Sequence, residues 1–431
     1  MVRAESWGVL AVLLCLIVVE AGCGGGGNSS SSSSSSDQPV PASVNHIVVM
    51  MQENRSYDSY FGRLGQYKRD HGIPGDVEDL PLNVTLFARS GAPVQPFHFR
   101  TVCHENISPS WNQSHFYWDG GKMDLFMHTA TKSTIDPDAT RAMGYYDQSD
   151  LPYYYELASQ YATSDRFFSS VMTETVPNRL YLMGATSWGA TKAIGPFPHE
   201  YTLIWDRLND AGVNWRYYVP SPSKPAFIEQ FPGGASRYAS HIFPISQYFS
   251  DLKSDSTFPQ VAFIERQEGF DEHPGNNIQI GAAKVKSYID ALMQSPAWGT
   301  SAFILTFDEG GAMYDHVPPV SVPAPDNIPP DLGPEDFQAG FDMTGFRVPF
   351  ILVSPWGKPN FVSHTPREFG SILAFIESRF NIPPLTARDA GADNMSEFFD
   401  FNSPARTAIP SLPDQPKNGV CDPAREVAPG H

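Results

Sequence analysis

The sequence predicts an α/β fold with a largely parallel central sheet, helices on both faces and long loops. Three observations carry that prediction. Ile47-Val48-Val49-Met50-Met51 is a continuous apolar run that ends in Glu53-Asn54-Arg55, as expected of a strand covered on both faces where it leaves a sheet. Further runs at 213–219, 260–265, 302–307 and 348–353 alternate with helical stretches, the pattern of a parallel sheet. Gly 34, Pro 39 and 13% aromatic residues point to ordered loops over a rigid scaffold rather than to a helical bundle.

Residues 151–161 and 177–186 read as helices. Residues 283–293 carry Val285, Ile289 and Leu292 at helical spacing. Residues 367–380 carry Phe369, Ile372, Leu373, Phe375 and Ile376 behind Pro366, a helix-start signal. Stretches 75–96, 318–338 and 398–431 read as loops or irregular cover. No internal repeat is visible, so residues 37–431 are expected to form a single domain.

Ahead of it, residues 1–23 read as an export signal: Arg3, an apolar run from Val9 to Val19, then Ala21-Gly22-Cys23. The run is short for a membrane span. It resembles a bacterial lipoprotein signal, in which the cysteine becomes the lipidated first residue, although Glu20 stands where that pattern takes an aliphatic residue. A membrane anchor through Cys23 and a periplasmic or extracellular location follow as expectations. Residues 24–36 are Gly/Ser-rich and form a flexible tether. Cys103 and Cys421 remain in the mature domain, and in an oxidising compartment two such cysteines pair or stay as free thiols.

The net charge is −18, from Lys+Arg 29 against Asp+Glu 47. That argues against nucleic acid as partner and against attraction to anionic membranes. It suits a protein that concentrates a divalent cation. Nothing in the sequence sets an oligomeric state.

Candidate chemistry lies where the strand runs end, because ligand sites in open α/β sheets sit beyond the carboxyl ends of strands. Glu53 and Asn54 offer hard oxygen ligands there, and Arg55 a planar fork for phosphate or a brace for the carboxylates beside it. The run 302–307 repeats the design, ending in Asp308-Glu309-Gly310-Gly311 and, a little later, Asp315-His316. A solvated turn explains one such end, but two ends built alike point to a metal. Thr175, in Thr175-Val176-Pro177-Asn178-Arg179, falls at a helix start, where a hydroxyl is either a cap or a nucleophile. His115, His273 and His364 complete the set of titratable groups; each alone is more commonly a satisfied structural residue.

These motifs resemble the bacterial phosphoesterase family that holds secreted phospholipases C and an acid phosphatase branch, within the alkaline-phosphatase-like superfamily. The carriers are Glu53-Asn54-Arg55-Ser56-Tyr57-Asp58-Ser59-Tyr60-Phe61-Gly62, Thr175 to Arg179, Glu272-His273-Pro274, Asp308-Glu309-Gly310-Gly311 through Asp315-His316-Val317, and Ser363-His364. The resemblance implies a divalent metal held by Glu53, Asn54, Asp308 and Glu309, and a phospho-threonine formed on Thr175. It implies that His115, His273, Asp315, His316 and His364 line the phosphate and leaving group. Where the family often has His-Gly-Gly after the acidic pair, this chain has Gly310-Gly311-Ala312. Some members use Ser as nucleophile, which leaves Thr173 as a rival hydroxyl. The expected activity is phospholipase C-type cleavage of a phosphodiester in a phospholipid or small phosphate ester. The alternatives are a non-specific phosphatase on monoesters and a catalytically silent surface lipoprotein.

Overall fold

The fold grows outward from two strands whose every residue is buried, β1 (His46–Gln52) and β6 (Ser301–Phe307). Successive side chains of a strand face opposite ways, so burial of all of them means that both faces of the sheet are covered. The computed structural model describes residues 38–129, 131–193, 197–220 and 225–431; the expected export signal, Cys23 and the tether lie outside them. Asp37–His431 forms one compact unit. Among the described residues no helix is long and apolar enough to cross a membrane.

The other strands of the main sheet are β2 (Ala162–Ser164), β3 (Trp215–Val219), β4 (Ile242–Pro244), β5 (Val261–Ile264), β7 (Phe350–Val353) and β8 (Phe361–Ser363). Their order is β8-β2-β7-β6-β1-β5-β3-β4. Strand β7 runs antiparallel to both its neighbours, and the other pairings are parallel. The expected largely parallel α/β sheet is therefore present, with one reversed strand inside it. Strands β2, β4 and β8 are three residues long, too short to leave a periodic signal.

The helices that matter to the site are α1 (Tyr57–Phe61), α2 (Trp111–Trp118), α3 (Pro152–Gln160), α4 (Thr175–Gly184), α5 (Ile278–Met293) and α6 (Phe369–Phe380). Helix α5 starts at the Asn277 cap, whose side chain accepts from the backbone N–H groups of Gln279 and Ile280. The aromatic stretch 111–118 is helical. Trp111 and Tyr117 are buried on one side of it, and Phe116 stays exposed.

Register fixes the active edge. Gln52 of β1 sits opposite Phe307 of β6, and Met50 opposite Ile264 of β5. The residues just beyond these strands, Glu53-Asn54, Asp308-Glu309 and Glu265-Arg266, therefore emerge side by side. At the far end of the chain Cys421 is bonded to Cys103, 318 positions away. Around the bridge Val102 donates to the Val420 carbonyl at 2.8 Å and Asp422 to the Thr101 hydroxyl at 2.9 Å, so the irregular tail is pinned.

Candidate active site

Glu53, Asn54, Asp308 and Glu309 are all buried at the shared strand edge. Asn54 takes the left-handed conformation at φ 58, which asparagine tolerates better than most residues. Its backbone N–H then donates to Asp308 Oδ1 at 2.9 Å, and the Glu309 N–H donates to the same oxygen at 2.8 Å. Gly311, also left-handed at φ 64, packs its Cα so tightly that a Cβ would come within 2.2 Å of the Asn54 carbonyl oxygen. Its N–H donates to Glu309 Oε2 at 2.6 Å.

The carboxylates crowd one another. Burial first, then the charge of Asp308, pushes Glu53 up to about 7. The same two causes hold Glu309 well above its ordinary range. Asp308 Oδ2 and Glu309 Oε1 are buried with no hydrogen-bond partner. The unpartnered Glu309 oxygen, the Asp308 Oδ2 that meets only the Arg179 guanidinium at 3.2 Å, and the amide oxygen of Asn54 are hard donors of the kind a divalent cation takes. By donor chemistry the four residues suit such an ion, but Glu53, Asp308 and Glu309 do not bring one oxygen each within 4.8 Å of one another.

Two arginines stand against this edge, and neither was assigned a role from the sequence. Arg179, buried on α4, lies 3.3 Å from Glu53 Oε1 and 3.2 Å from Asp308 Oδ2. Arg266, just past β5, pairs through Nε with Glu53 Oε1 and through Nη1 with Asp271 Oδ2 at 2.9 Å. Their signal was present in outline: Arg179 stands within the Thr175 motif, and Arg266 closes a third strand run.

Thr175 is the first residue of α4 and is partly exposed. Its hydroxyl donates to Asn54 Oδ1 at 3.3 Å. It lines, with Arg179, Arg266, Phe227 and Asn276, a cavity of about 730 Å³. The turn before it is stitched by Asn178, whose amide donates to the carbonyls of Val171 at 3.1 Å and Thr173 at 2.9 Å. The rival hydroxyl, Thr173, is buried and donates to the Thr191 carbonyl at 2.5 Å.

Arg55 turns away from this edge. It is fully buried, donates through Nε to the Glu272 carbonyl at 2.8 Å, contacts His104 through Nη1, and lies over the Tyr60 and Tyr146 rings. Neither role open from sequence is displayed: Arg55 meets no carboxylate of this edge and holds the Glu272 backbone carbonyl and His104 instead.

The remaining sequence-predicted residues are held by partners of their own. His316 Nδ1 donates to Asp58 Oδ2 at 2.7 Å, and its Nε2 faces Glu78 Oε1 at 3.2 Å. Arg347, fully buried, donates to Asp58 Oδ1 at 2.9 Å and to Asp315 Oδ1 at 2.8 Å. Asp58, Asp315 and His316 are close enough together to hold a cation, but the Arg347 guanidinium already supplies the positive charge between the two carboxylates. His364 is exposed, with Nδ1 on Asp165 Oδ1 at 2.9 Å. His115 is buried, bonded to the Trp111 carbonyl at 2.8 Å and stacked on Phe337. His273 Nδ1 contacts the Pro274 carbonyl at 2.7 Å. Among the described residues no hydrogen bond links any of these groups to Thr175.

A profile of the phosphoesterase family matches residues 44–383, and the chain belongs to that family. It is a phosphoric ester hydrolase, and its relatives place it with the phospholipases C. Non-specific phospholipase C1 of Arabidopsis thaliana is 31% identical over 414 residues, covering 87% of this chain and 74% of that protein. Phospholipase C A of Mycobacterium tuberculosis is 29% identical over 419 residues, covering 86% and 79%. A solved protein of the alkaline phosphatase superfamily from Vibrio parahaemolyticus aligns over 84% of this chain and 72% of its own, with a TM-score of 0.42 and 10% identity.

Proposed function

We propose that the chain cleaves a phosphodiester in the manner of a phospholipase C, through a phospho-threonine at Thr175. The observation that carries this reading is the Thr175 hydroxyl, bonded to Asn54 Oδ1 and opening on a cavity of about 730 Å³. A helix start favours the anion that forms there. The volume lies in the range that small-ligand sites take, enough for a phosphate with its head group.

In the first step Thr175 Oγ attacks phosphorus and an Oγ–P bond forms. The ester bond to the lipid alcohol breaks, and its oxygen leaves with a proton as the free alcohol. Water then attacks the same phosphorus, the Oγ–P bond breaks, and Thr175 recovers its proton as the phosphorylated head group departs. A divalent cation held by Glu53, Asn54, Asp308 and Glu309 would supply Lewis acidity toward the phosphoryl oxygen and lower the pKa of the hydroxyl. Asn54 orients that hydroxyl, and Asn178 fixes the turn that presents it. As the resemblance implies, His115, His273, Asp315, His316 and His364 are proposed to line the phosphate and leaving group, with an Asp–His pair or a lone His as acid–base.

Residues 1–23 are proposed to direct export and Cys23 to carry a lipid, with 24–36 as tether and 37–431 as the catalytic domain. That part rests on the sequence alone. Partition of wild type and Cys23→Ala into the detergent phase checks it: equal partition removes the anchor.

The substrate test is a panel of phosphatidylcholine vesicles and p-nitrophenyl phosphate, assayed with and without added divalent metal. Release of phosphocholine from the vesicles is expected. Turnover of the monoester alone would make the protein a phosphatase, and turnover of neither would favour a silent surface lipoprotein.

A further inference from the structure

Of the three arginines at the active edge, Arg266 is the one that combines an unpartnered guanidinium nitrogen with a partly exposed side chain; the unpartnered Nε of Arg179 is buried. Arg55 is sealed behind Tyr60 and Tyr146 and spends its Nε and Nη2 on the Glu272 carbonyl. Arg179 is buried and directs its Nη2 to Glu53, Asp308 and the carbonyls of Met51 and Gln52. Arg266 is held on two edges, by Glu53 through Nε and by Asp271 through Nη1, while its side chain stays 33% exposed and lines the cavity that Thr175 lines. Among the described residues its Nη2 has no hydrogen-bond partner.

A guanidinium anchored this way is pre-oriented. Two carboxylates fix the plane and direction of the fork, and little rotamer freedom remains to be lost when the third nitrogen meets a ligand. The ligand has to be an acceptor, since guanidinium only donates. We infer that Arg266 binds a non-bridging oxygen of the phosphoryl group at Thr175, and so is a catalytic residue of this enzyme. This rests on the proposed reaction at Thr175. The two arginines divide the work: Arg179 offsets the Glu53 and Asp308 carboxylates, and Arg266 offers charge to the equatorial oxygens, whose charge must be stabilised as phosphorus is transferred.

The test uses the full mature chain with Arg266→Ala, Arg266→Lys and Thr175→Ala. Arg266→Ala should lower kcat/KM by about 10²–10³, the loss typical of a removed transition-state donor, with an unchanged thermal midpoint. It should also weaken binding of inorganic phosphate, measured by calorimetry, at least tenfold. Arg266→Lys should recover part of both, and guanidinium ion in solution part of the Arg266→Ala turnover. A residue that merely braces Glu53 would instead weaken Mn²⁺ binding and leave phosphate binding at the wild-type value; that split overturns the proposal. Thr175→Ala tests the underlying reaction separately: if it retains turnover that reading fails, whereas phosphate binding by the Arg266 variants still decides the role of Arg266.

Discussion

The Thr175 hydroxyl and the Asn54 amide oxygen lie 3.3 Å apart although 121 positions separate them in the chain. Neither residue depends on a long loop for its place. Asn54 follows directly on β1, whose register against β6 is set residue by residue, and Thr175 opens the ten-residue helix α4. A nucleophile and a candidate ligand referenced to rigid elements keep their spacing, which is what in-line displacement at phosphorus requires.

Thr175→Ala should therefore abolish turnover, lowering kcat by about a thousandfold or more, because the variant lacks the attacking hydroxyl. Thr173 is buried and already bonded to Thr191. Thr175→Ser should retain measurable activity. The thermal midpoint should stay at the wild-type value in both, since the Thr175 side chain is partly exposed. Activity near wild type in Thr175→Ala would remove the residue from the mechanism.

Glu309 offers a test of the metal that does not rely on turnover. Its Oε1 is buried without a partner, next to Asp308 and Glu53. In chelator, Glu309→Gln should be at least as stable as wild type, because a like-charge contact is relieved. Added Mn²⁺ or Zn²⁺ should raise the wild-type midpoint, as ligands of the native state do, and raise that of the variant much less. Equal shifts in the two proteins would take Glu309 out of the ligand set.

The two adjacent glycines after Glu309 should respond differently. At Gly311 a Cβ would meet the Asn54 carbonyl at 2.2 Å in a left-handed backbone. Gly311→Ala should cost about 1–3 kcal/mol in strain alone and disturb the turn that carries Asn54. At Gly310 the nearest atom to an added Cβ is 3.4 Å away, on Phe346, so Gly310→Ala should be nearly neutral in a denaturant titration. A Gly311→Ala protein as stable and active as wild type would mean that this close approach does not matter.

The contrast between these glycines shows where the sequence was legible. The runs that became β1 and β6 announced themselves by continuous apolar character, and their polar ends marked Glu53, Asn54, Asp308 and Glu309 as neighbours in kind. Pro177 and the apolar face behind it placed Thr175 at a helix start. What the sequence left open was which charged group meets which. Asp315-His316 reads as an Asp–His pair open to several roles, and only the fold shows that Arg347 and Asp58 meet it. Arg55 reads as a phosphate fork or a brace for the carboxylates beside it until burial turns it to the Glu272 carbonyl. The helix at 111–118 was hidden because two of its four buried residues, Ser114 and His115, are polar while Phe116 stays exposed, which blurs the apolar spacing. Arg266 could be seen as a strand-end residue, but its two carboxylate partners are tertiary neighbours.

His316 gives the pH dependence. Burial opposes its charge, but the hydrogen bond to Asp58 and the charges of Asp58 and Asp315 outweigh it and raise the imidazole to about 9. Burial likewise opposes charge on Asp58, and Arg347 with His316 overcomes it and holds that carboxyl below its ordinary range. A histidine raised in the folded state stabilises fully below its unfolded value, about 6.5, and loses that contribution as pH rises through about 9. A lowered aspartate stabilises above its ordinary value, about 3.9, and loses that contribution only as pH falls through the lower folded one. The groups facing His316 are Asp58, Asp315, Glu78 and Arg347. Of these, Asp315 is pushed up to about 6 by burial in spite of Arg347, and it is present in both proteins to be compared. His316→Gln should therefore be less stable than wild type by on the order of 2 kcal/mol near pH 6, the size of a charge-assisted bond to a buried partner. The difference should shrink between pH 6.5 and 9 and vanish above that. Urea titrations of the two proteins across this range check it: a difference that stays constant through pH 9.5 would mean that His316 is not held as a cation between Asp58 and Glu78.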